Sequence, residues 1–175
     1  MNRPHSALAV SIVTCAFAVV VCSGGHVAQG ATLNTLTATA TNTTPPEDVG
    51  RRIEVTLSAQ VLATSKKKLA RRCRSGRVFY AEWVAVDGTP RRVASGRPSS
   101  RSGRFSGALP LEYGGPDPND PGTVRNGDVP FAGGVFTVTV TAAKTQVMGP
   151  RGSITCAALS TTAQVPIPPA TVDQP

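Results

Sequence analysis

Arg52-Ile53-Glu54-Val55-Thr56-Leu57-Ser58-Ala59-Gln60-Val61 alternates polar and apolar residues without a break. In an extended chain Ile53, Val55, Leu57, Ala59 and Val61 fall on one side and their polar neighbours on the other. A period of two marks a half-buried strand, whereas a helix would scatter these five residues round its circumference. Downstream, Arg77 to Val86 is apolar on both faces, with Phe79, Ala81 and Trp83 opposite Val78, Tyr80 and Val84, which suits the middle of a sheet. Asp87-Gly88 predicts a hairpin turn, because both residues tolerate positive φ. The return strand, around Pro90 to Arg97, carries charge and a proline, as an edge does. Ser102-Gly103 then turns the chain into Arg104–Leu109. Val135 to Ala142 alternates again, Phe136, Val138, Val140 and Ala142 against Val135, Thr137, Thr139 and Thr141. Further strands are expected through Ile154–Ala157 and near Val165.

Between these segments, residues 113–130 read as one long loop, since the four prolines at 116, 118, 121 and 130 exclude a regular element. Ser65–Arg72 reads as a basic connection, and no amphipathic helix is apparent. Gly and Pro together make 32 of 175 residues, a turn-rich share that stays below the roughly 25–30% of a disordered chain. The expected fold is one all-β domain over residues 51–167. Six to eight short strands with turn signals between them imply an antiparallel sandwich or barrel. Residues 31–50 form a Thr-rich linker or a first strand, and 168–175 a Pro-rich tail.

The first thirty residues are a different kind of sequence. Arg3 precedes an uncharged apolar run from Ala7 to Val21, followed by Ala28-Gln29-Gly30. This order of charge, apolar run and small residues is that of a secretory signal, with Ala28 and Gly30 at the −3 and −1 cleavage positions. The run is short of the ~20 residues that span a bilayer. Lipidation at Cys22 is the alternative, although Val21 stands where such signals place a small residue. The expected location is therefore extracellular or in the cell envelope, with membrane contact only through an uncleaved or lipidated N-terminus.

Removing that segment takes Cys15, Cys22, His5 and His26 with it, and leaves Cys73 and Cys156 but no histidine. Two cysteines in an exported chain read as a disulfide. A free Cys73, flanked by Arg72 and Arg74, would instead be a reactive thiolate. Catalysis by Ser-His-Asp or Cys-His needs an imidazole, and zinc sites usually do, so no catalytic residue, enzyme activity or cofactor is expected. Asp117, Asn119, Asp120 and Asp128 supply oxygen ligands of the kind calcium takes, but their spacing does not fit an EF-hand loop, and such residues are also ordinary turn formers.

Charge is unevenly spread. Residues 66–104 hold twelve Lys or Arg against Glu82 and Asp87, a net of +10, while the rest of the chain after residue 30 sums to −3. Lys66, Lys67, Lys68, Arg71, Arg72, Arg74 and Arg77 are the candidate contacts for a polyanion such as an envelope polymer or anionic headgroups. The same charges also serve solubility and blunt sheet edges. One Trp and two Tyr offer few stacking surfaces, which argues against nucleic acid.

In order along the chain, Gly76-Arg77-Val78, Val84-Ala85-Val86-Asp87-Gly88, Ser102-Gly103-Arg104-Phe105 and Gly134-Val135-Phe136-Thr137-Val138-Thr139-Val140 resemble the carboxypeptidase-regulatory-like group of transthyretin-type sandwiches. The Cys73-x-x-x-Arg77-x-Val78 start and a second cysteine after the last strong strand look like the version found in secreted actinobacterial proteins. The resemblance spans roughly residues 53–167, and departs in the long Pro/Asp loop and in Phe136, where the family often has Tyr. It implies an antiparallel Greek-key sandwich of six to eight strands, immunoglobulin-like or transthyretin-like, used as a non-catalytic accessory or surface module, and carries over no functional residues. The functional expectation is thus a secreted or cell-surface sandwich with a structural or binding role. The alternative is an envelope carbohydrate or polyanion binder using the basic face of residues 66–104.

Overall fold

The structure, a computed structural model, describes residues 34–65, 68–95, 99, 101–117, 120–149 and 152–171. The signal-like segment with Cys22 lies outside the described residues. Twelve strands and one α-helix are described, so the sandwich is richer in strands than the six to eight expected. In chain order they are β1 (Asn34–Asn42), β2 (Ile53–Ala63), α1 (Lys68–Arg74), β3 (Phe79–Val84), β4 (Pro90–Ala94) and β5 (Arg104–Leu111). There follow β6 (Tyr113–Asp117), β7 (Asp120–Arg125), β8 (Val129–Pro130), β9 (Gly134–Ala142), β10 (Thr145–Gly149), β11 (Gly152–Cys156) and β12 (Leu159–Ile167).

The two principal sheets are antiparallel, ordered β1-β2-β5 and β12-β9-β3-β4. Chain crossings between them after β2, after β4 and after β5 make the Greek key. With β1, β2, β3, β4, β5, β9 and β12 as strands A, B, C, C′, E, F and G, the order A-B-E against C′-C-F-G is of the immunoglobulin type. The period-two stretch forms the inner face of β2: Ile53, Val55, Leu57, Ala59 and Val61 are all buried. Fully burying an aliphatic side chain contributes about 1.5–3 kcal/mol. They face Phe79, Ala81 and Trp83 of β3 and Phe136, Val138, Val140 and Ala142 of β9, and Phe105 of β5 stacks on Phe79 at 5.4 Å. β3 is central and β4 an edge, as their polarity predicts.

Three local expectations are corrected. Residues 113–130 are not one loop: β6 and β7 form a short hairpin with a bulge between Pro116 and Asp117, and β8 runs parallel to β6. Proline is excluded only where its nitrogen must donate, and this small outlying sheet leaves such positions free. The stretch after Lys67 is helical. Lys, Leu, Ala and Arg all favour helix, and Ala70 and Cys73 share the buried face that packs on the sandwich. Gly76 ends it at φ +70, a left-handed position that a side chain would strain. In the turn after β3 only Gly88 has positive φ (+81); Asp87 Oδ1 instead accepts the Thr89 amide at 2.8 Å. Residues 31–50 include a true strand, β1, paired with β2 along its whole length.

At the far end of the sandwich Tyr113 stacks on Phe131 (6.1 Å) and its hydroxyl donates to the Pro168 carbonyl at 2.9 Å, which ties down the chain after β12. Burial raises the pKa of this phenol. Its stabilising effect is therefore complete below the ordinary tyrosine value of about 10 and is lost as pH rises through the higher folded value. Between about pH 9 and 11 the thermal midpoint should fall more steeply for the wild-type chain than for Tyr113→Phe; equal slopes would remove Tyr113 as the cause.

Candidate functional site

Successive principal strands reverse direction, so every second connection lies at the same end of the sandwich. The β2–β3 connection (64–78), the β4–β5 connection (95–103) and the β9–β12 connection (143–158) share one end. Named bonds hold them together. Cys73 on α1 is disulfide-bonded to Cys156 at the end of β11, with Cα atoms 5.5 Å apart. Arg72 donates to the Met148 carbonyl on β10, Arg74 Nε to the Arg101 carbonyl at 3.0 Å, and the Gly76 amide to the Ser99 carbonyl at 3.1 Å.

The sequence of these three connections contains no Asp or Glu. Lys68, Arg71 and Arg72 are exposed along α1, and Arg74 is half-buried beside them. Arg101, Arg104 at the start of β5, and Lys144 on the β9–β12 connection are exposed at the same end. Seven described cations thus gather at one pole. Nine of the ten acids are Glu47, Asp48, Glu54, Glu82, Asp87, Glu112, Asp117, Asp120 and Asp128, which sit in the body of the sheets or at the other end; Asp173 is outside the described residues. Like charges within about a Debye length (8 Å at physiological salt) reinforce one another, which makes this end of the sandwich the candidate site for an anionic partner. Lys66 and Lys67 lie outside the described residues.

Arg77 is withdrawn from that surface, a correction to the sequence reading. It is 1% exposed. Its Nε donates to the Cys73 carbonyl (2.7 Å), and Nη1 to the carbonyls of Ala157 (2.6 Å), Ala143 (3.1 Å) and Ala142 (3.5 Å). The guanidinium therefore caps the end of α1 and joins it to the top of β9 and the β11–β12 turn. Burial lowers its pKa, but arginine remains protonated through the accessible range. The sequence could not assign this role, because a buried cation held by backbone carbonyls leaves no partner side chain to recognise. Lys144 was missed for another reason: only the strand order brings the β9–β12 connection to this end, whereas Arg101 and Arg104 fall within the basic run of residues 66–104.

Of the acidic candidates for calcium, Asp117 and Asp120 are cross-strand partners in the β6–β7 hairpin, but each is engaged within the protein. Asp117 is buried and paired with Arg125 at 2.6 Å. Asp120 Oδ2 accepts the Thr123 hydroxyl at 2.6 Å. Asp128 accepts the Trp83 indole N–H (2.7 Å) and the Glu112 amide (3.1 Å), and Asn119 lies outside the described residues. Among the described residues no three His, Cys, Asp or Glu side chains gather as a metal site. Comparison with known proteins finds no protein family, no curated protein and no solved structure that matches this chain.

Proposed function

We propose that the protein is an exported, non-catalytic binding module whose basic pole holds a phosphate- or carboxylate-bearing polymer of the cell envelope. The observation that carries this reading is the convergence of Lys68, Arg71, Arg72, Arg74, Arg101 and Lys144 from three connections that contain no acid, joined by Arg104 at the start of β5. Five of the seven are arginines, whose planar fork suits the paired oxygens of phosphate and carboxylate groups. The disulfide and the Arg77 clamp preorganise the pole, so little ordering entropy opposes binding. Export is supported by the signal-like first thirty residues and by a disulfide, which persists in oxidising compartments. No described helix is long and apolar enough to cross a membrane. A non-catalytic role rests on the sequence, whose two histidines both precede residue 30.

The test uses long-chain polyphosphate and the chain from residue 31 onward. Binding should weaken linearly in log affinity against log salt, as counterion release requires. Near an anionic surface each cation is worth about 1 kcal/mol. Lys68→Gln, Arg71→Gln and Lys144→Gln together should therefore cost on the order of a hundredfold in affinity. Arg51→Gln with Arg52→Gln at the other end should leave affinity within about twofold, since the Arg52–Asp48 pair is an exposed surface bridge. Equal losses from the two sets would refute a localised site.

A further inference from the structure

The basic pole does not use the other end of the β12-β9-β3-β4 sheet, where the sheet opens. The β3–β9 ladder ends at Glu82 opposite Thr139, although β3 runs on to Val84 and β9 begins at Gly134. The Ala143 amide donates to the Val78 carbonyl across this ladder. Alternation then points the peptide groups of Tyr80, Glu82 and Val84 towards β9, and those of Thr141, Thr139 and Thr137 towards β3. The first two rungs close, and the third, Val84 with Thr137, does not. Two facing stretches of strand backbone therefore border a gap.

The gap is a groove of about 900 Å³. Trp83 and Phe136, edge to face at 6.0 Å, form its floor, and Val84, Val135, Pro130 and Ile167 line its walls. Val84 and Val135 are 65% and 67% exposed and lie on the same face as the outward-facing Thr137, Thr139 and Thr141 of β9 and Glu82 of β3. The rim charges compensate each other: Arg92 with Glu82 at 3.1 Å, and Arg91 with Asp128 at 3.9 Å. The Asp128 carboxylate is further engaged by the Trp83 indole. A neutral rim around apolar walls and strand backbone does not suit a polyanion. It suits a chain that brings its own amides and alternate apolar side chains.

We propose that this groove binds an extended segment of another polypeptide, apolar at alternate residues, which completes the opened rung between Val84 and Thr137. The segment's amides pair with those two residues, and one of its side chains enters over Trp83 and Phe136. This site is independent of the basic pole, so neither reading stands or falls with the other.

The experiment selects peptides of eight random residues on the whole domain and remakes the enriched sequences synthetically. Trp83 is the only tryptophan of the chain, so its emission reports the groove directly. The expected result is a saturable shift of that emission, with hydrogen exchange at the Val84 and Thr137 amides slowed at least tenfold in the bound state. Val84→Asp and Val135→Asp, both at exposed positions, should weaken binding at least tenfold while leaving the thermal midpoint unchanged. A peptide N-methylated at alternate amides should fail. Failure to enrich any sequence overturns the proposal, as does binding that leaves both amides unprotected. Equal binding of the N-methylated peptide would make the groove a general apolar cavity. Protection of the same amides by rising protein concentration alone would make it a self-association face; either result refutes a peptide site.

Discussion

Arg77→Met is expected to lower the unfolding free energy by about 3 kcal/mol. Methionine fills much of the same volume but donates nothing, and four carbonyls, those of Cys73, Ala142, Ala143 and Ala157, lose a charged donor. A buried acceptor left unsatisfied costs about 1–3 kcal/mol, and relief of the guanidinium's own burial penalty offsets part of that sum. Water entering from the exposed Ala157 side limits the loss. For a domain of this size the thermal midpoint should fall by roughly 10 °C. Because arginine stays protonated, the deficit should be constant from about pH 5 to 9. Arg77→Lys keeps the charge with a single donor head and should fall between the two. A methionine variant within 1 kcal/mol of wild type would mean that the carbonyls find water at no cost, and the clamp would be incidental.

Loss of the Cys73–Cys156 bond is expected to cost more. The two cysteines are 83 residues apart, and closing a loop of that length restricts the unfolded chain by about 4.5 kcal/mol. Cys73→Ser with Cys156→Ser should therefore remove about 3–5 kcal/mol, a large share of the ~5–15 kcal/mol typical of a domain. Reduction of the wild-type protein should reproduce the loss in a urea titration. The bond and Arg77 hold the same two connections, so combining the two changes should cost less than their sum. Polyphosphate affinity should fall with the bond broken even where the fold persists, since α1 and the β10–β11 hairpin lose their shared anchor. Full stability after reduction would contradict the role given to the bond.

Much of this was legible in the sequence. β2 announced itself by strict alternation, β3 by two apolar faces, and the disulfide by the two cysteines that remain once the signal-like segment is set aside. What escaped has a common cause: it depends on tertiary neighbours. α1 is only seven residues long, too short for a helical stripe to stand out, and its lysines and arginines read as a loop. Prolines at 116, 121 and 130 seemed to forbid the small β6-β7-β8 sheet, because the sequence does not show which side of an edge strand needs donors. The basic run was visible from Lys66 to Arg104. Its sorting was not: Arg77 turns inward to carbonyls, while Lys144 joins from the β9–β12 connection because the seven principal strands reverse in turn. The opened seam between β3 and β9 left no trace in composition or spacing, since Val84 and Thr137 are ordinary strand residues whose rung fails to close.

Recognition of a polyanion by one pole of this sandwich is the proposal on which the functional reading rests. Backbone amide chemical shifts recorded while polyphosphate is added test it most directly. The prediction is a footprint confined to Lys68–Arg74, Arg101–Arg104 and Lys144–Gly149, fading as salt is raised. Shifts concentrated at Arg51, Arg52, Arg91 and Arg92, or spread evenly over every exposed cation, would contradict it.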